Sequence, residues 1–221
     1  MGLLETIVVV YLRKIYYPEG FKFPLVIIPS AILQVEIMRE FCTLVMLISI
    51  AFITGKNKLQ GFSYFLLSFA VWDIVYYIGL KLILNWPDSF LTWDILFLIP
   101  IPWIGPVVAP FISSLSMIIL SLSLLFFRER FDNFKIKLIE WLLIYLGAVL
   151  IFISFIWDYT SILISRNLFS KIFSFNQVEI QNITLNYMPS NYNWTLFILG
   201  LISIYLSILL FIKRYLYLTK S

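Results

Sequence analysis

Histidine is absent from this 221-residue chain, and cysteine occurs once, at Cys42. A single cysteine allows no internal disulfide and cannot supply the thiolate cage of a zinc site or an iron–sulfur cluster. The lack of histidine removes imidazole acid–base catalysis and the common haem and copper ligands. A metal site would have to be built from carboxylate and carbonyl oxygens, which suit hard cations. We therefore expect no metal and no cofactor.

Charge is also scarce, since only 13% of the residues are charged and 62% are hydrophobic. Soluble domains have about 25% charged and about 45–50% apolar residues, so a soluble fold of this size would lack the polar groups to cover its surface. The apolar residues form long blocks rather than the alternating pattern of a membrane β-barrel. The sequence therefore predicts an all-α polytopic membrane protein, because helices satisfy their backbone hydrogen bonds internally.

Five segments are long enough to cross a bilayer, which requires about 20 mostly apolar residues in a helix. They are residues 31–54, 62–84, 107–127, 138–157 and 194–212. We interpret residues 1–221 as a single transmembrane domain built on these five spans.

Two further apolar stretches do not fit a simple span. Residues 2–12 are too short, so we interpret residues 1–30 as an interfacial N-terminal segment, with a truncated or tilted extra span as the alternative. Residues 90–106 contain three prolines, and proline removes a helical hydrogen bond and clashes with the preceding turn. We predict that this stretch is an interfacial or re-entrant segment between the second and third spans.

Lysine and arginine are concentrated on one set of connections. The loops 55–61 and 128–137 and the C-terminal tail together carry nine of them, and all three lie on one side in a five-span topology. Cytoplasmic loops are enriched in basic residues, so we expect an external N-terminus and a cytoplasmic C-terminus, in the cytoplasmic membrane of a bacterium. The same rule explains the net charge of +4 without a nucleic-acid partner. The expected partners are the lipid bilayer and other membrane subunits.

Eight polar side chains are predicted to lie in the outer half of the membrane or at its rim, where burial makes each a functional candidate. They are Glu36, Arg39, Glu40, Asp73, Tyr77, Lys81, Asp94 and Asp158. The first three share one face of the first span, and the next three share one face of the second. Because five acids outnumber two cations, we predict an acidic pocket open to the outside. The structural alternative consists of interfacial ion pairs, aromatic-belt residues and a snorkelling lysine.

Two of these spans carry more specific predictions. Asp73 is the deepest acid, and an Asp at a helix centre costs about 2.5–3.5 kcal/mol on insertion scales. We therefore predict that Asp73 faces the bundle interior and pairs with polar groups from the first span, with Arg39 as the favoured partner. On the fifth span, Gly200, Ser203 and Ser207 form a stripe of small residues, which predicts a close helix–helix contact.

The chain contains no glycine-rich phosphate loop, no HExxH and no Gly-x-Ser-x-Gly motif, and three functions stay open. The favoured one is a non-catalytic accessory, scaffold or assembly subunit of a membrane complex. The second is a small transporter or an ion- or proton-conducting protein that uses the acidic pocket. The third is a membrane enzyme that acts on a lipid-linked substrate, with carboxylates as acid, base or cation ligand.

Overall fold

The computed structural model of the protein describes residues 1–131, 133–168 and 178–218. Within this part of the chain, three helices are followed by a pair of strands and then by four more helices. In chain order the elements are α1 (Gly2–Tyr16), α2 (Ser30–Thr54), α3 (Lys58–Leu84), β1 (Trp93–Phe97), β2 (Trp103–Pro106), α4 (Val108–Arg130), α5 (Leu138–Ser165), α6 (Val178–Asn186) and α7 (Trp194–Leu218).

Five of these helices, α2, α3, α4, α5 and α7, are long and apolar enough to cross a membrane. This confirms the predicted all-α polytopic fold and indicates a membrane location. The helices extend past the predicted spans: α3 begins at Lys58 and α5 ends at Ser165. Apolar composition predicts only the part of a helix that lies in the hydrocarbon core of the membrane. The backbone hydrogen bonds of the helix continue beyond that part to its cap. At the start of α3, Asn57 is that cap, since its side-chain oxygen accepts the Gln60 N–H at 3.0 Å.

The proline-containing stretch 90–106 holds an antiparallel β-hairpin, which the sequence did not predict. Ile95 pairs with Ile104 across the two strands, and the register shifts between Ile95 and Phe97. The prolines lie in the turn and at the last residue of β2, positions where proline costs no ladder hydrogen bond. The side chain of Trp103 closes the turn by donating to the carbonyl of Ile99 at 2.9 Å. The interfacial or re-entrant placement of this hairpin stays a prediction.

The short helix α1 buries three polar residues and exposes several apolar ones. Glu5, Thr6 and Arg13 are buried, whereas the large apolar side chains Leu4 and Ile15 are well exposed. The helix packs along the later part of α3, where the Thr6 hydroxyl donates to the carbonyl of Tyr76 at 3.3 Å. This polarity suits a helix with protein on one side and lipid on the other. Its 15 residues span only about 22 Å, and the interfacial location predicted for this segment stays a prediction.

The chain divides into two compact units. Unit 1 comprises Met1–Met46, Trp72–Phe111 and Phe155–Tyr192, and unit 2 comprises Leu47–Val71, Ile112–Ser154 and Asn193–Ser221. Unit 1 contains the hairpin and two clusters of buried side chains, one around Ile104 and Leu163 and the other around Leu80 and Trp86.

In unit 2, α4, α5 and α7 surround a buried cluster centred on Leu124 and Phe211.

Helices α5 and α7 of unit 2 meet through the predicted stripe of small residues. A Cβ atom added to Gly200 would lie 2.8 Å from the carbonyl oxygen of Gly147, so the two backbones are in close contact. The hydroxyls of Ser203 and Ser207 donate to backbone carbonyls of α5 at 2.7 and 2.9 Å. The prediction that this face of the fifth span makes a helix–helix contact is confirmed.

Candidate functional site

Arg39 lies at the centre of a buried group of carboxylates in unit 1, which we call the Arg39 group (Glu5, Glu36, Arg39 and Glu40). Its Nε donates to Glu36 one helical turn away on α2, at 2.8 Å, and its Nη1 pairs with Glu5 of α1. The ion pair with Glu5 joins two helices that are distant in sequence. All three acids of the group are buried.

Glu40 connects the Arg39 group to the hairpin. Its Oε2 accepts the backbone N–H of Leu98 at 2.9 Å, in the turn that follows β1. With all side chains ionised, three carboxylates would face one guanidinium, which leaves a net negative charge in a buried place. Burial raises the pKa of Glu5 above its ordinary value, and the nearby Arg39 offsets only part of that rise. Burial in this group therefore favours the protonated form of Glu5.

Asp94 of β1 forms the second buried polar group, the Asp94 group (Arg13, Tyr77 and Asp94). The carboxylate is 1% exposed, accepts Nη2 of Arg13 at 2.9 Å and accepts the hydroxyl of Tyr77 at 3.2 Å. The guanidinium of Arg13 lies over the ring of Trp86, 3.7 Å from its centroid, and also over Phe21 at 4.5 Å. Burial raises the pKa of Asp94, and the Arg13 charge opposes this rise.

The other predicted acids have separate surroundings. Asp73 is buried on α3, whereas the ion pairs of Arg39 are made with Glu5 and Glu36. The proposed pairing of Asp73 with Arg39 stays a prediction. Asp158 lies within α5 and accepts the hydroxyl of Tyr187 at 2.7 Å. Burial, together with this carboxylate, raises the pKa of Tyr187.

Two of the cavities in the described part of the chain lie in unit 1. One, of about 170 Å³, is bordered by the segment 25–37 and by the hairpin turn, and its lining is mainly apolar. The other, of about 290 Å³, lies between the end of α3, the residues 87–90 and the start of α4. Lys81 lines the second cavity, where its Nζ donates to the carbonyls of Asn85 and Pro87 at 3.3 and 3.0 Å.

Sequence reasoning missed two of the central residues, Glu5 and Arg13, because residues 1–30 are interpreted there as an interfacial segment. Their spacing of eight residues places them on one helical face with Thr6 nearby, and this polar stripe was the available signal. It also missed the ion pair at 2.6 Å between Glu140 and Arg214 of unit 2. Arg214 is one of the basic residues of the C-terminal tail from which the topology is predicted, and no local pattern links it to Glu140.

Within the residues that the structure describes, no group of three or more acid or cysteine side chains is arranged to hold a metal ion. Comparisons with protein families, with curated proteins and with solved structures find no match to this chain.

Proposed function

We propose that this integral membrane protein is a non-catalytic accessory, scaffold or assembly subunit of a membrane complex. The observation that carries this proposal is that its buried charges connect different elements of the fold. Arg13 joins α1 to β1 through Asp94, and Arg39 joins α2 to α1 through Glu5. Glu40 attaches α2 to the hairpin turn.

These contacts fit a structural role better than a catalytic one. A carboxylate that acts as acid, base or cation ligand has to reach its substrate, whereas Asp94 and Glu40 are buried and already bound to groups of the same chain. Breaking a buried ion pair typically costs about 3–5 kcal/mol, so these contacts hold unit 1 in one arrangement. A fixed arrangement is what a subunit requires to present a constant surface to its partner.

The exposed face of α2 in unit 1 is one surface where a partner helix would pack. Val35, Met38 and Phe41 recur every three residues and are each more than half exposed, so they form one apolar stripe. We propose this stripe as the first place to look for a subunit contact. A comparable exposed position in unit 2, Leu209 on α7, provides a matched comparison.

The test is extraction of the tagged full chain from its native membrane in mild detergent, with a photo-cross-linking residue at Met38 or at Leu209. We expect a stoichiometric partner to copurify and a discrete protein adduct to form from Met38 but not from Leu209. A monodisperse chain without a partner, which gives only lipid adducts at both positions, would contradict the proposal.

A second candidate function, proton transfer across the membrane, is favoured by the three carboxylates around Arg39 and by the raised pKa of Glu5. The protein would be reconstituted into vesicles that contain a pH-sensitive dye, and proton entry would be measured under an imposed gradient. Proton transport through this group predicts entry above that of empty vesicles, loss of this flux in Glu5→Gln and no change in the exposed-loop variant Glu19→Gln. Equal flux in empty and loaded vesicles would exclude this function.

A further inference from the structure

The 290 Å³ cavity of unit 1 combines an apolar lining with two opposite charges. Ile74, Ile78 and Phe111 contribute apolar surface, and Lys81 and Asp88 contribute charge. A single water requires a cavity of only about 10–15 Å³, so there is room for a much larger group. Apolar pockets with a few placed polar groups are typical of sites for small molecules.

The two charges of this cavity do not neutralise each other. Nζ of Lys81 donates to the carbonyls of Asn85 and Pro87, and an ammonium group has three N–H donors, so one donor is left for a ligand. The carboxylate of Asp88 has no hydrogen-bond or ion-pair partner among the residues that the structure describes. The cavity therefore presents an available cation and an available anion to the same occupant.

The surface around the cavity is suited to lipid. Leu82, Phe90 and Leu91 are all more than half exposed. Because α3 and α4 are consecutive candidate spans, the end of one and the start of the other lie on the same side of the membrane. Lys81 and Asp88 are thus at the membrane surface, and Ile74 is about two helical turns deeper along α3. The cavity therefore has charged groups at the membrane surface and apolar groups deeper in the membrane. A phospholipid has its headgroup and acyl chains in the same order.

We propose that this cavity binds a zwitterionic glycerophospholipid whose headgroup ends in a primary ammonium, the phosphatidylethanolamine class. The phosphate accepts the remaining N–H of Lys81, the ammonium donates to Asp88, and an acyl chain lies along Ile78 and Phe111. A quaternary ammonium has no N–H to donate to Asp88. A net anionic headgroup would place negative charge beside this carboxylate and is disfavoured.

The experiment uses the purified full chain in detergent and three dihexanoyl probes, with ethanolamine, choline or glycerol headgroups on the phosphate. Binding is measured by native mass spectrometry and by the thermal shift that each probe produces. We expect the ethanolamine probe to bind several-fold more tightly than the other two. Equal binding of all three probes would mean that only the acyl chains are recognised and would overturn the proposal.

Two variants separate the charges of the site. Asp88→Asn removes a carboxylate that has no hydrogen-bond or ion-pair partner among the described residues, so the variant is expected to fold normally. Its preference should reverse toward the anionic glycerol probe. Lys81→Gln is expected to weaken the binding of all three probes, because each carries the phosphate that Lys81 is proposed to contact. The exposed-pair variants Glu19→Gln and Lys22→Gln, which lie elsewhere in the chain, are matched controls and should change nothing. An unchanged preference for ethanolamine in Asp88→Asn would refute the proposed contact.

Discussion

The buried ion pair between Arg13 and Asp94 allows the most stringent test of how unit 1 is held together. The substitution Arg13→Gln removes the positive charge while it keeps a polar side chain of moderate length. Asp94 would keep the hydrogen bond from Tyr77 but would lose its ionic partner, in a position where only 1% of the residue is exposed. In the wild-type structure almost no solvent reaches this carboxylate, so the guanidinium is its main source of compensating charge.

The expected loss follows from this burial. Removing one member of a buried ion pair costs about 3–5 kcal/mol, because the remaining charge is left uncompensated. The stacking of Arg13 on Trp86 and Phe21 adds a cation–π contribution of about 0.5–2 kcal/mol. Asp94 limits the total by binding a proton, since burial already raises its pKa and loss of Arg13 raises it further. We therefore expect a free energy of unfolding lower by about 3–5 kcal/mol at neutral pH.

The pH dependence of this variant has a definite sign. A carboxyl group whose folded pKa lies above its unfolded value binds protons more tightly in the folded state, so stability falls as pH rises through that window. For Asp94 the window opens near the unfolded value of about 3.9 and extends upward to its raised folded pKa. Loss of Arg13 raises the folded pKa of Asp94 further, and the deficit of Arg13→Gln relative to the wild type grows between the two folded pKa values. The deficit should therefore be smaller at pH 5 than at pH 8.

The assay is reversible unfolding in mixed micelles of increasing SDS fraction, followed by tryptophan fluorescence. The double variant Arg13→Gln/Asp94→Asn should cost less than the sum of the two single variants, by about 0.5–3 kcal/mol. The Glu19–Lys22 pair is the control, since its atoms are 3.9 Å apart and its side chains are 86% and 74% exposed, and its coupling should be at most about 1 kcal/mol. Additive costs at Arg13 and Asp94, or equal deficits at both pH values, would refute the reasoning.

Three further predictions concern packing, protonation and topology. Gly200→Leu should lower the free energy of unfolding by about 1–3 kcal/mol in the same assay, because the new side chain overpacks against α5. The control Leu199→Phe faces outward and should change this free energy by at most about 0.5 kcal/mol. Equal tolerance of the two substitutions would contradict the close contact. Burial raises the pKa of Glu5, so wild-type stability should decline as pH rises above about 4.3, the ordinary pKa of glutamate. Glu5→Gln should make this decline shallower. An unchanged slope of stability against pH would exclude Glu5 as the source of the decline. In a cysteine-free background, an impermeant thiol reagent added to intact cells should label Ser89→Cys and not Lys56→Cys, and the reverse pattern would invert the predicted orientation.

The five membrane-crossing helices are predictable from the sequence, because the thickness of the hydrocarbon core imposes a length and a composition that soluble helices rarely combine. The small-residue stripe on α7 is predictable for a similar local reason, since close packing in lipid favours residues such as Gly200 and Ser203. The start of α3 at Lys58 was missed although the Asn57 cap is a local signal, because apolar composition alone does not register caps.

The candidate site was predictable in its residue types but not in its pairing. The cost of burying charge identified Glu36, Arg39, Glu40 and Asp94 from the sequence alone, and all four take part in buried or half-buried polar contacts. Their partners depend on which elements are neighbours in space, and no local pattern states that α1 lies beside both α2 and β1. For the same reason, only the tertiary structure showed that Glu5 and Arg13 on the polar face of α1 form ion pairs with other elements.

The sequence by itself thus determined that this chain is a membrane protein and how many helices can cross the bilayer. It also determined which polar residues lie in segments where burial of their charge is costly. These properties follow from the free energy of transferring each segment into lipid, which depends on local composition. Only the tertiary structure decided that the proline-rich residues form a hairpin and that Arg39 and Arg13 form ion pairs with acids of other elements. It also decided that Lys81 and Asp88 line one cavity. Those outcomes depend on packing between segments distant in the chain, which local transfer energies do not specify.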